Sequence, residues 1–508
     1  MNKFIFSDIL AIKNKGVEYL EKSEIWPVSE EEFQGLSVYM YQQYEKLMFE
    51  LEDNLFDIAL IDYKFPALLL QIFHYNYMKN YAQTNNIDIL YGGNSQSYLY
   101  PNWHKIGRQY SLLKPCNNKL IRIIRRITKN IIFNKHLGFY ELICNLLSGS
   151  GFVSIGSSSS LKQDFVLKKE IYCDHQDAYD LLDFDVDKKE LVESYHQDIM
   201  DRLISPYLET IKSQYPLFLD GISISDIKSC WGNRFREMIP AYVNILNSGS
   251  KKNFLVTDVA TIMNRMLVIG HQRIGREVFG FHHGGDFAAT IINQIHKGAM
   301  THCKNLVVPT AGIANHYKKT YAHLKLEVKV GTNYYSVKNF SKLLFNDKAT
   351  LRSKKRIKTV MLMGFPMSCQ RRIGERGLFF VQKINIEYDI LTMLRKLGLN
   401  VLYKAHPDRK NEVYGLFDNI ADKVIYDAFE NSWKEADAFI FTYTSTTTFA
   451  FALETNRRVV LIDVDTNIVD KGLRQELGKR VDYVPATITD SNNLIKFDKR
   501  KLKECLLL

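Results

Sequence analysis

The sequence predicts an α/β fold with two Rossmann-like units facing a cleft, preceded by a helix-rich segment. From residue 252 onward, strand-like and helix-like stretches alternate, and a basic bridge at residues 352–358 divides them into two series. The chain has 508 residues, of which 46% are hydrophobic and 24% charged, so it is globular and large enough for two or three domains. We expect an amino-terminal domain over residues 1–350 and a carboxyl-terminal domain over residues 351–508.

The amino-terminal part is rich in predicted helix up to about residue 249. A short strand is expected at residues 88–91, where it runs into a turn at Gly92 and Gly93. Residues 148–160 are small and polar, which predicts a loop. Its amides could bind an anion, although most loops of this composition are only loops.

Residues 119–135, KLIRIIRRITKNIIFNK, predict an amphipathic basic helix. The apolar stripe has four residues at helical spacing: Leu120, Ile124, Ile127 and Ile131. The basic residues that we assign to a membrane contact are Arg122, Arg125, Arg126 and Lys129. Such a helix fits the surface of an anionic bilayer. An ordinary surface helix with its apolar side in the core fits the same composition equally well.

The first series of alternating elements predicts a parallel sheet. Its expected strands are NFLVT, EVFGF, NLVVPT and LEVKVGTN, and its expected helices cover residues 259–275, 286–296 and 314–321. The second series has the expected strands KTVMLMGFP, LNVLYKAHP, KVIYD, AFIFTYTS and RRVVLIDVD, with helices at residues 384–397 and 447–455 and a short one between them. Ligands of such sheets bind at the carboxyl ends of strands, so the residues just after each strand are the candidates for chemistry.

Composition and charge limit the function further. With 67 basic and 56 acidic residues, the formal charge is +11, which favours an anionic partner. No run of about 18 uncharged apolar residues occurs and the start has no signal-peptide pattern, so we expect a cytoplasmic protein without a membrane-spanning helix. The seven cysteines have no zinc-type spacing, which fits reduced thiols. The final CLLL spells a prenylation signal, relevant only in a eukaryotic host.

The most specific motif is Lys404, His406 and Pro407 at the end of the strand LNVLY. Pro407 restrains the preceding residue to an extended backbone, which would hold the His406 imidazole at the sheet edge. An imidazole there can hydrogen-bond a phosphate and stabilise its charge. A structural histidine is the commoner role of a residue in this setting.

A hydroxyl-rich turn precedes the predicted helix that bears Glu454. It comprises Thr444, Ser445, Thr446 and Thr447. Hydroxyls and free amides at a helix amino terminus predict a phosphate site. As an alternative, Ser445 is only the helix cap. Glu454 could accept hydrogen bonds from ribose hydroxyls, or simply be solvated.

A third candidate lies after the strand EVFGF, in the first series. Its residues are His282, His283, Gly284, Gly285 and Asp286. They supply a candidate base or acceptor-binding group opposite the phosphate site. The alternative is a capped turn with Asp286 as the cap.

The K-x-H-P motif, the S/T-S-T turn about forty residues later, the helix with its glutamate and the strand RRVVLID together resemble a known family. They look like the carboxyl-terminal half of bacterial surface-polysaccharide glycosyltransferases with the GT-B fold, notably capsule-type Kdo transferases and polysialyltransferase-like enzymes. The FHHGGD stretch is similar to the His-Gly-Gly loop of related surface-carbohydrate biosynthesis proteins. The resemblance covers residues 252–465 and leaves the amino-terminal half unmatched.

The resemblance implies a role for each motif. It assigns His406, Ser445 and Thr446 to donor binding. We add as further donor-binding candidates Gly364, Lys404, Pro407, Thr444, Thr447 and Glu454. His282, Gly284 and Gly285 would line the acceptor side, with His283 or Asp286 as the catalytic base. The acidic-acidic-Gly motif that carries the base in several CMP-sialic acid enzymes is not evident. Leu219-Asp220-Gly221 is the nearest match, so Asp220 is the reserve.

We therefore expect a GT-B glycosyltransferase that moves a Kdo-like ulosonic acid from CMP to a surface glycan or glycolipid, at the inner face of a bacterial inner membrane. No cofactor, metal or nucleic acid is expected, since the D-x-D patterns at residues 183–185 and 463–465 are too common to indicate a metal. A CDP-glycerol-type polyol-phosphate transferase and a UDP-sugar 2-epimerase are alternatives of the same fold. An alternative of another class is a non-catalytic assembly factor at the membrane surface.

Overall fold

The structure is a computed structural model. It describes residues 3–23, 26–93, 124, 126–128, 130, 131, 134, 137, 138, 152–157, 159–185, 187–249, 251–257, 259, 261–282, 302–338, 356–364, 380–406, 410–444, 446–464, 474, 475, 477–489 and 493–507.

The amino-terminal part is helical around a small parallel sheet, in which β1 (Phe4–Phe6) pairs with β2 (Asp88–Leu90). Its helices are α1 (Ile9–Lys15), α2 (Glu30–Phe49), α3 (Asp53–Ile61) and α4 (Phe65–Thr84), with a 3-10 helix at Val17–Lys22. The strand predicted at residues 88–91 is confirmed. The turn after it requires glycine, because a Cβ at Gly92 would collide with Asp8 and the Ala11 backbone.

The first large sheet has six parallel strands in the order β4-β3-β5-β6-β7-β8. They are β3 (Phe152–Ile155), β4 (Cys173–His175), β5 (Asn253–Val256), β6 (Val278–Phe281), β7 (Asn305–Thr310) and β8 (Asn333–Lys338). The helices in this part of the chain are α5 (Ser160–Lys169), α6 (Lys189–Ile199), α7 (Ser205–Gln214), α8 (Pro216–Leu219), α9 (Ile224–Asn247), α10 (Ile262–Arg273), α11 (Ala311–Tyr321) and α12 (Lys325–Val330). A 3-10 helix lies at Ala178–Leu181, and a π-helical segment at Met200–Ile204 joins α6 to α7.

Two expectations for this sheet are wrong. Residues 148–160 are not a single loop, because β3 lies within them and pairs with β4 on one side and β5 on the other. The sheet therefore begins before residue 252, with a four-residue strand too short to stand out among serines and glycines. LEVKVGTN is not a strand either. Its alternating pattern belongs to α12, where neighbours Leu326 and Glu327 are both buried, and Gly331 ends the helix at φ +70°.

The second large sheet has seven strands in the order β11-β10-β9-β12-β13-β14-β15, all parallel except the β14–β15 pair. They are β9 (Thr359–Met363), β10 (Asn400–Lys404), β11 (Lys423–Ile425), β12 (Ala438–Phe441), β13 (Arg458–Val464), β14 (Val481–Ile488) and β15 (Ile495–Phe497). Its helices are α13 (Phe380–Lys396), α14 (Lys410–Val413), α15 (Phe429–Ser432), α16 (Thr447–Glu454) and α17 (Lys499–Leu507), with a 3-10 helix at Trp433–Glu435. The predicted α/β class, with two Rossmann-like parallel sheets and a helix-rich amino-terminal part, is confirmed.

The start of the chain contacts the carboxyl-terminal half. The Trp26 ring lies 6.2 Å from the Phe380 ring at the beginning of α13, measured between centroids. The Asn493 side-chain amide donates to the Trp26 carbonyl oxygen over 2.6 Å. One continuous apolar core consequently includes residues of the amino-terminal helices and of the second sheet. Among the described helices, none has the length and apolar content that crossing a bilayer requires.

Candidate active site

The candidate site lies at the carboxyl edge of the second sheet. Strand β9 lies between β10 and β12, so the residues that follow these three strands meet at one edge. Gly364 follows β9, His406 follows β10, and Thr444 follows β12. Because strands are spaced about 4.8 Å apart, the ends of β10 and β12 are about 10 Å from each other. The sheet therefore brings the His-Pro motif and the hydroxyl-rich turn to either side of Gly364.

Gly364 lies where no side chain fits. A Cβ at this position would collide with the Tyr403 hydroxyl and with the Lys404 carbonyl oxygen, to which the Gly364 amide donates over 2.9 Å. The Tyr403 hydroxyl donates to Glu387 over 2.7 Å, and the Tyr443 hydroxyl donates to the Gly364 carbonyl over 3.3 Å. These bonds hold the backbone that follows β9 against the end of β10.

Lys404 and His406 have different environments at the end of β10. The Lys404 side chain is buried, and its ammonium donates to the Ala405 carbonyl over 2.6 Å. Burial lowers the pKa of Lys404 to about 8, while the charges of Glu430 and Asp427 act in the opposite direction. His406 is half-buried at the sheet edge. Pro407 lies outside the described residues.

Thr444 carries a buried hydroxyl that has no hydrogen-bond partner among the described residues. The residue as a whole is 2% exposed. Its carbonyl accepts a bond of 2.8 Å from the amide of Thr446, the cap of α16. The Thr446 hydroxyl in turn accepts from the Thr448 amide over 3.3 Å. The positive end of the α16 dipole and an unsatisfied hydroxyl therefore lie two residues apart, which is an arrangement suited to an anion.

Helix α16 carries two further predicted donor-binding residues, Thr447 and Glu454. Thr447 is the first residue of α16 and is exposed. Glu454 is the last residue of the same helix and is also exposed, about 10 Å from the amino end at 1.5 Å per residue. Ser445 is outside the described residues.

Arg480 closes the opposite end of α16 and has no counterpart in the sequence-based predictions. Its guanidinium is 1% exposed and donates to the carbonyl oxygens of Leu453, Ala452, Thr455 and Arg457. A cation at a helix carboxyl terminus stabilises the helix dipole. Arg480 thus fixes the orientation in which α16 presents its amino end to the candidate site. No motif signals this role, because Arg480 lies in an irregular stretch of sequence before β14.

The first sheet contributes only part of the predicted acceptor side. The His282 ring is buried and lies 3.1 Å from the Tyr317 hydroxyl of α11. His283, Gly284, Gly285 and Asp286 lie outside the described residues. The reserve base Asp220 follows α8 in the helical part, with an exposed side chain. The Asn76 and Asn80 amides hold its carbonyl oxygen at 2.7 and 3.1 Å.

Several further sequence motifs have structural partners. Asp463 pairs with Arg474, and Asp183 accepts from the Asp185 amide over 3.1 Å. Within the described residues, no group of three His, Cys, Asp or Glu side chains could hold a metal ion. Cys505 of the CLLL sequence is buried in α17.

Comparison with solved structures finds similar chains. One of them comes from the crystal structure of Arabidopsis thaliana UGT89C1 complexed with UDP-L-rhamnose and is 11% identical in sequence. The similarity covers 72% of this chain and 84% of that chain, with a TM-score of 0.32. No protein-family model matches the chain, and no curated protein does. The architecture given above rests on the strand pairings of the chain itself.

Proposed function

We propose that this protein is a glycosyltransferase that transfers a Kdo-like ulosonic acid from a CMP-linked donor to a surface glycan or glycolipid. The observation that carries the proposal is the buried, unpartnered hydroxyl of Thr444 beside the amino end of α16. The donor identity comes from the resemblance of the strand-end motifs to capsule-type enzymes. The proposed location is the cytoplasm, at the inner face of a bacterial inner membrane.

A phosphate accounts for the features of the site. A buried hydroxyl without a partner costs folding free energy, and a phosphate oxygen accepting from Thr444 would recover it. The α16 dipole adds favourable electrostatics for the same group. Gly364 lets the backbone after β9 pack against Tyr403 and Lys404, between the ends of β10 and β12 that flank the proposed phosphate. His406 then donates to the phosphate from the other side.

The proposed reaction is a direct displacement at the anomeric carbon. The bond from that carbon to the phosphate oxygen breaks, and a new bond forms to the acceptor hydroxyl oxygen. CMP leaves with the bonding electrons, and the hydroxyl proton passes to a base. A phosphate is already a good leaving group, so positioning and electrostatic stabilisation carry the chemistry. His283 or Asp286 is proposed as the base, with Asp220 in reserve.

The donor is tested by titrating CMP, CDP and UDP into the protein and into its Thr444→Val variant. A ligand at a hundredfold its dissociation constant stabilises the protein by roughly 2.7 kcal/mol, which thermal unfolding detects. The proposal expects CMP to bind best and a CMP-linked ulosonic acid to be turned over. Preference for CDP-glycerol supports a polyol-phosphate transferase, and epimerisation of a UDP-sugar supports an epimerase. CMP binding with no turnover on any acceptor supports an assembly factor.

The base is tested separately with His283→Ala, Asp286→Ala and Asp220→Ala. Loss of transfer with retained binding of the CMP donor identifies the base. Near-normal transfer in the first two variants removes the His-Gly-Gly loop from the chemistry and directs attention to Asp220.

A further inference from the structure

The basic helix exposes its apolar side. Residues 124, 126–128, 130, 131 and 134 are helical. Ile124, Ile127 and Ile131 follow the i, i+3, i+7 spacing of one helix face, and they are 53%, 55% and 67% exposed. An ordinary surface helix would turn these side chains toward the core. The structure therefore disagrees with the core-helix alternative for these three residues.

The polar side of the same helix faces the protein. Asn134 accepts from the Cys173 amide over 2.9 Å and donates to the Cys173 carbonyl over 2.7 Å, as a neighbouring strand would. Asn130 accepts from the His175 amide and donates to Asp174 over 3.0 Å. These side-chain amides hydrogen-bond to the backbone of β4 along its outer edge, because β4 is the last strand on this side of the first sheet. The helix is thus held by polar contacts, which leaves its apolar face outward.

Arg126 belongs to this polar anchor, while its side chain stays 52% exposed. Its guanidinium donates three hydrogen bonds to the Asp174 carboxylate, over 2.8, 3.1 and 3.3 Å. Reversing the charge of Arg126 would therefore loosen the helix from β4 rather than report on a membrane. Arg122, Arg125 and Lys129 lie outside the described residues.

We propose that Ile124, Ile127 and Ile131 form a docking face for an anionic lipid bilayer. Charge identifies the occupant, because residues 119–135 contain six lysines and arginines and no aspartate or glutamate, in a chain of formal charge +11. Helices that lie in a bilayer interface combine an apolar face with lysine and arginine, and each basic residue near the surface adds to the attraction for anionic lipid. The proposal is independent of the donor and of turnover.

The test is sedimentation of the full-length protein with vesicles of phosphatidylcholine, with and without phosphatidylglycerol. Ile127→Asp and Ile131→Asp remove apolar contact without touching the β4 anchor. Leu217→Asp is the matched control, because Leu217 of α8 is 67% exposed, the same fraction as Ile131. We expect binding only to the anionic vesicles, weakened by salt. Each isoleucine variant should lower the partition coefficient roughly tenfold or more, and the control should bind normally.

Equal binding by the isoleucine variants and the original protein overturns the proposal. So does binding that is independent of phosphatidylglycerol. A second copy of the chain is the competing occupant, and sedimentation velocity distinguishes it. If the original protein ignores vesicles but forms a dimer that Ile131→Asp dissociates, the face is a protein interface. None of these measurements requires catalysis. The vesicle-binding result can therefore be interpreted even if the proposed transferase activity is not found.

Discussion

Replacing Thr444 with valine should stabilise the ligand-free protein and weaken its binding of nucleotide. The two side chains have nearly the same shape, so the substitution removes the hydroxyl and little else. That hydroxyl belongs to a residue only 2% exposed, and it makes no hydrogen bond within the part of the chain that the structure describes. Leaving a polar group buried without a partner costs about 1–3 kcal/mol. We expect the free energy of unfolding to rise by a similar amount.

Thr455→Val is the matched control from the other end of α16. The Thr455 side chain is buried to a similar degree, but its hydroxyl donates to the Ala452 carbonyl over 2.7 Å. Valine cannot make this bond, and a satisfied hydrogen bond contributes about 1 kcal/mol. The two threonine-to-valine substitutions should therefore change stability in opposite directions, although both remove one buried hydroxyl near the same helix.

The assay combines chemical denaturation without ligand and calorimetric titration with CMP. A hydrogen bond to a charged group is worth about 1.5–3 kcal/mol, so Thr444→Val should weaken CMP binding about ten- to hundredfold. Thr455→Val should bind CMP as the original protein does. If Thr444→Val is destabilised as much as the control, its hydroxyl has a partner in the folded protein. If CMP binds it normally, the phosphate binds elsewhere.

Three further predictions concern the same sheet edge. His406→Ala should lower turnover about a hundredfold while the protein still folds, because the imidazole stabilises the departing phosphate. Gly364→Ala should lower the denaturation midpoint because its Cβ meets the Tyr403 hydroxyl, whereas Gly93→Ala, with its nearest neighbour at 3.7 Å, should change it little. Lys404→Met should be most stable relative to the original protein below pH 8, because burial lowers the pKa of Lys404 to about 8. Above pH 8 the lysine is neutral in the folded protein and still charged in the unfolded chain. The stability advantage of the methionine variant should therefore shrink by about 1.4 kcal/mol per pH unit. A difference in stability that does not change with pH contradicts this prediction.

The second sheet was predictable because its strands are buried on both faces. Val360 to Met363 in β9 and Val459 to Ile462 in β13 are continuous apolar runs with little exposure. Parallel strands covered by helices on both sides have this pattern. His406 follows β10 and Thr444 follows β12, the two strands that flank β9, and the ends of these apolar runs predict both positions. The apolar pattern and the direction of each strand therefore predict which residues lie at the same edge of the sheet.

The sequence could not predict the elements whose stability comes from distant partners. The three residues of β4 have no strand signal of their own, and their outer edge is satisfied by the side chains of Asn130 and Asn134. The orientation of the basic helix follows from those same amides. Hydrophobic periodicity alone identified the apolar stripe but could not tell whether it faces the core or the surface.

Among the described residues, the two sheets differ in whether the polar side chains at their carboxyl edges have hydrogen-bond partners within the protein. This difference favours the second sheet as the proposed anion site. In the first, the Thr257 hydroxyl donates to Ser157 over 2.6 Å and the buried Lys162 donates to Ile155 over 3.1 Å. In the second, the Thr444 hydroxyl has no partner among the residues that the structure describes. Arg480 meanwhile neutralises the far end of α16 and leaves the positive end facing the edge. A ligand oxygen therefore gains most at Thr444, because there it satisfies a group that the fold leaves unsatisfied.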